Sequence, residues 1–196
     1  MGFLDALLGR TKPAQANLDK LFGLPGAQIT LEASEGIQPT GQAGVCFKPA
    51  EGQAFASTET EFTALLDLGD DAGAKVHEES DKYGYRWVVV AADDFQTLVT
   101  RVHVTNTTLQ ENGYGPQLLC SVFGFAPTPQ AGAPRPAASI YLVYLYKRGT
   151  FYPFVPAAAE ARDNEAELRL KNELAEDLTI EPDLTRWFPI WGVPVH

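Results

Sequence analysis

At 196 residues, with 45% apolar and 11% aromatic side chains, the chain makes one ordinary domain and has enough apolar surface to build a core. A formal net charge of −10 excludes the cationic face that nucleic acid requires, and with it simple electrostatic docking on anionic lipid. The same acidic balance suits a soluble surface or a basic partner.

The opening "MGFLDALLGR" puts Phe3, Leu4, Leu7 and Leu8 on one face of an amphipathic helix over 1–10, and Pro13 ends the helical pattern. A stripe of this kind docks on a core or makes peripheral contact with a membrane. With few cations beside it (Arg10, Lys12), core docking is the favoured reading. A second helical piece, "LDKLFGL", has Asn17 as its expected N-cap. "AQITLEASEGIQPTGQAGVCFKPAEG" reads as two strands joined by a Gly/Pro-rich connection. "STETEFTALLDLGDD" reads as a helix capped by Ser57 or Thr58, with Phe62, Leu65 and Leu66 on its apolar face.

"AKVHEESDKYGYRWVVVAAD" reads as a hairpin whose charged first strand suits a sheet edge and whose apolar second strand suits the interior. The next helix starts at Asp93 or Asp94 and stops at Gly113. Its apolar positions Phe95, Leu98, Val99, Val102 and Leu109 recur at helical spacing. "QLLCSVFGFA" and "SIYLVYLYKRGTFYPFVP" form a third strand pair around a flexible Pro/Ala loop over 126–138. The second of these runs is expected to fold back at "KRGT". "ARDNEAELRLKNELAEDL" is a charged amphipathic helix, and an aromatic strap over 185–196 comes after it. Pro189 and Pro194 forbid a regular helix in that strap, and its composition favours docking on the domain over display.

The order α-ββ-α-ββ-α-ββ-α describes one α+β domain: an antiparallel sheet of about six strands with helices packed mainly on one face. Chemistry is sparse. The chain has no GxSxG elbow, Walker loop, strand-borne GxGxxG or HExxH, and no catalytic residue is assigned. His77, Glu78, Glu79 and Asp81 are the best metal-like cluster, but a solvated edge strand is the favoured reading, so neither a metal nor a cofactor is expected. His103 and Asn106 on the long helix, with Tyr144 on the Tyr-rich strand, would line a polar pocket if one existed there. Cys46 and Cys120 belong to no CxxC pair and are expected as buried free thiols. With neither a signal peptide nor an apolar run long enough to span a bilayer, the expected location is the cytoplasm.

Four stretches carry a resemblance across nearly the whole chain: "MGFLDALLGRTKP" with the nearby "LDKLF", "AGVCFKPAEG", "DDFQTLVTRVHVTNTTLQENGYGPQLLCSVFGF" and "LTRWFPIWGVP". Together they resemble the PspA-associated proteins of the PspAB type, known from actinobacteria and haloarchaea. The resemblance implies a role in the phage-shock, or envelope-stress, system, with genes near those for a PspA-like coiled-coil protein or an HtpX-type membrane protease. It brings no active-site residues. The order of elements also resembles the helix-flanked sheets of type III secretion chaperones and YbjN. The expected protein is a non-enzymatic adaptor in the cytoplasm, at most peripheral to the inner face of the membrane. Phe3, Leu4, Leu7 and Leu8, or Trp187, Phe188 and Trp191, are its expected contacts. A chaperone-like homodimer and a small-ligand binder are the alternatives.

Overall fold

The computed structural model describes residues 16–48, 74–129 and 139–196. The expected helices over 1–10 and 57–71, and most of the 126–138 loop, lie outside the described residues.

A 3-10 turn (Leu18–Gly23) leads into α1 (Leu24–Glu35), and β1 (Ile37–Phe47) comes directly after it. Here the structure departs from the expected hairpin, because "AQITLEASE" is helical. Leu24, Ala27 and Leu31 recur at i, i+3 and i+7 and are fully buried, whereas Ile29, the residue that most suggested a strand, is 70% exposed. Pro25 sits in the first helical turn, where its missing N–H costs nothing, and Gly36 closes the helix at φ 64°. Asn17 makes no side-chain cap; its carbonyl instead accepts the Tyr144 hydroxyl at 2.9 Å.

β2 (Ala74–Ser80) and β3 (Arg86–Ala92) form the expected hairpin. α2 (Phe95–Leu109) begins at Asp94, whose carboxylate accepts from the Gln96 and Thr97 amides at 3.3 and 2.7 Å. β4 (Leu118–Pro127), β5 (Ile140–Leu145) and β6 (Thr150–Phe154) come next, with the 145–150 turn joining the last two. A two-residue ladder, β7 (Pro156–Ala157) with β8 (Ala161–Arg162), precedes α3 (Asn164–Glu173).

The six long strands form one antiparallel sheet in the order β2-β3-β1-β4-β5-β6. β1 lies between β3 and β4, so the first strand has partners from later in the chain and no hairpin neighbour. Charged, half-exposed β2 forms one edge. The other edge, β6, is covered by a short parallel bridge in which Phe151 N donates to Thr179 O and Glu181 N to Phe151 O.

The sheet is apolar on both faces. One carries Val45, Phe47, Val88, Val90, Phe123, Phe125, Leu142 and Tyr144, packed under all three α-helices. The other carries Cys46, Trp87, Val89, Val122, Tyr141, Val143, Tyr152 and Phe154, with no helix among the described residues above them. Residues 187–195 cover this second face. Gly44 makes room for them, since a Cβ there would stand 3.0 Å from the Trp87 ring and 3.1 Å from Val195.

Candidate functional site beneath the C-terminal strap

Side chains alternate along a strand, so the residues of β1, β3 and β4 that point away from the helices converge on the strap face. A bulge in β4 adds one more. Cys46 pairs with Cys120 and Phe47 with Leu118, so Leu119 has no partner in β1 and joins Cys120 on the same side. Cys46, Cys120, Leu119 and Trp87, with Leu145 and Tyr152, form the floor of a cavity of about 490 Å³. The β2–β3 turn supplies one wall through Asp81, Tyr83 and Tyr85, and Phe188, Pro189, Ile190 and Trp191 of the strap supply the other.

Both walls are held by hydrogen bonds made elsewhere on the same residues. The Asp81 carboxylate accepts the amides of Tyr83 (2.8 Å) and Tyr85 (3.0 Å) and the Trp87 indole N–H (3.0 Å), and Gly84 takes φ 82° to let the turn close. Asp81 is therefore occupied in shaping the turn, and the surface it leaves to the cavity is mostly aromatic. Across from it, Tyr152 donates to Phe188 O (2.8 Å) and its ring stacks on Trp187 at 5.8 Å, while Phe154 meets Trp191 edge-on at 5.0 Å. Burial pushes the Tyr152 hydroxyl well above the ordinary phenol range, so it stays a donor at every physiological pH.

The strap has two ionic anchors. The Glu181 carboxylate, fully buried, accepts Arg148 Nε (2.7 Å) and Nη2 (3.1 Å), Thr150 Oγ1 (2.7 Å) and Asp183 N (3.2 Å). Its backbone carbonyl accepts the Trp187 indole N–H at 3.1 Å. Burial pushes this carboxyl up, but the hydrogen bonds and the Arg148 charge outweigh it and hold the group below the usual carboxylate range. In the second anchor, Glu167 on α3 grips Arg162 through two hydrogen bonds, and Arg162 also donates to Trp187 O. Further along, Tyr141 donates to Val195 O (3.1 Å) and His196 N to Gln42 Oε1 (3.0 Å).

The residues singled out in the sequence are spread over the molecule. Trp187 is buried under the strap, Trp191 is half-buried at the cavity wall, and Phe188 is 60% exposed at its mouth. Phe3, Leu4, Leu7 and Leu8 lie outside the described residues. Asn106 is fully buried on the helix side of the sheet, where its amide donates to Val102 O (2.8 Å) and Ser121 Oγ (2.9 Å). Tyr144 is buried on the same side, with its hydroxyl pushed up to about 12 by burial. The His103 ring lies tilted against Phe22 at 5.0 Å, with Asp19 3.6 Å away. The cavity lies on the opposite face from all three. His77 bonds Glu79 at 2.9 Å on the exposed edge strand, and no group of three or more metal-binding side chains occurs among the described residues.

Tyr83, Tyr85 and Trp87 were missed as site residues, because the turn held by Asp81 and Gly84, and not strand alternation, brings the two tyrosines beside Trp87. No helix among the described residues is long and apolar enough to cross a membrane. The PspAB family model, described as PspA associated protein B, matches residues 1–195. No curated protein and no solved structure matches the chain.

Proposed function

The chain belongs to the PspA associated protein B family, and on that premise we propose that it is a non-enzymatic, cytoplasmic adaptor of the envelope-stress system that binds a PspA-like coiled-coil protein. The observation that carries this reading is the cavity beneath the strap, apolar in its depth and rimmed by side chains left in solvent. Phe188 is 60% exposed and Tyr83 54% exposed at its mouth, on opposite walls. Large aromatics in that position supply much of the energy of a protein interface once a partner excludes water from them. A cavity of about 490 Å³ accepts one or two large apolar side chains from a partner helix.

Titration of the purified protein with a recombinant PspA-like coiled-coil protein from the same host tests this. The expected result is saturable binding that Phe188→Ala weakens about tenfold or more, the loss of one interfacial aromatic anchor. Absence of binding, or binding indifferent to Phe188→Ala, overturns the reading. An HtpX-type protease in detergent serves as the competing partner in a parallel titration.

A further inference from the structure

The two cysteines lie 74 positions apart in the sequence and belong to no short motif, yet the sheet places them directly opposite one another on adjacent antiparallel strands, Cys46 on β1 and Cys120 on β4. Directly opposed antiparallel residues have Cα atoms about 4.5–5.5 Å apart, inside the range of about 4.4–6.8 Å that a disulfide spans. The ladder is regular from Ala43–Phe123 to Cys46–Cys120, so the two opposed cysteines share one face, the strap side. Both thiols are free, and both open onto the floor of the cavity. Pairing, shared face and access therefore coincide at one site.

We propose that Cys46 and Cys120 are a thiol-oxidation site, a dithiol that a small peroxide entering the cavity converts to a reversible cross-strand disulfide. Either sulfur can attack first; with Cys120 as the attacker, Cys46 is the resolving partner. The Cys120 thiolate attacks one oxygen of the peroxide, the O–O bond breaks, and the departing hydroxide takes up a proton as water. The Cys46 sulfur then attacks the Cys120 sulfenic sulfur, and the hydroxide expelled there leaves with the Cys46 proton as a second water. Two thiols and one hydrogen peroxide thus become one disulfide and two waters; the sulfurs lose two electrons and the peroxide gains them. The new bond ties β1 to β4 beneath the aromatic walls and removes both thiols from the cavity floor.

The test is hydrogen peroxide treatment of the reduced, folded, full-length protein, followed by intact mass and a non-reducing peptide map. The expected result is a monomer lighter by two hydrogens, with the 46 and 120 peptides joined, and full recovery of both thiols in dithiothreitol. Cys46→Ser and Cys120→Ser, each alone, abolish the linked peptide. Stable sulfinic acid on separate cysteines overturns the proposal, as does linkage between molecules. So does a folded protein that keeps both thiols under conditions that oxidise the urea-unfolded chain.

Discussion

Glu181 concentrates more of the strap's attachment than any aromatic residue in it. Its side chain accepts four hydrogen bonds from Arg148, Thr150 and Asp183, and its main chain bonds both β6 and Trp187. Removing this buried carboxylate leaves Thr150 Oγ1 and Asp183 N without their acceptor and the partly exposed Arg148 without its partner, and Glu181→Ala is expected to cost about 3 kcal/mol. In a chain of this length that lowers the melting temperature by about 10 °C, measurable by calorimetry. Because the folded carboxyl is held below its unfolded value, the stability it adds is complete above the unfolded pKa of about 4.3 and disappears as pH falls through the folded one. Urea midpoints of the wild type measured downward from pH 5 should therefore fall more steeply than those of Glu181→Gln. Parallel curves would refute this account of the anchor.

Among the elements, the strap differs from the rest in having no ladder of its own. It covers one face of the sheet as the three helices cover the other, using buried Trp187, Val193 and Val195. Burying a large apolar side chain contributes about 2 kcal/mol, so deletion of 187–196 is expected to remove about 5 kcal/mol or more and to expose Trp87, Val122 and Val143. Denaturant unfolding, together with a rise in binding of an apolar dye, reads both effects; a truncated chain of unchanged stability would contradict the docked arrangement.

Legibility in the sequence also divides by element. α2 was readable because Asp94 and five periodic apolar positions agree, and β2 because its charges suit only an edge. α1 was not, because Ile29 and Thr30 carry strand propensity at positions that face outward. Ile29 projects into solvent, and Thr30 donates to Asp177 at 2.6 Å. Tertiary packing of Leu24, Ala27 and Leu31 decides that segment. The cavity was illegible for a different reason. Its residues come from β1, the β2–β3 turn, β3, β4, β5, β6 and the strap, and only the strand order brings them together.

For the whole molecule, the strap does two jobs with one run of aromatics: it closes the second face of the sheet and leaves the rim of a cavity in solvent. The proposed adaptor role requires that a partner use that rim. The most direct measurement is hydrogen–deuterium exchange of the full chain with and without saturating PspA-like coiled-coil protein. Slowed exchange at 81–85 and 187–191, the two walls of the cavity, is the predicted result. Protection confined to other elements, or none under conditions of saturation, would contradict the account.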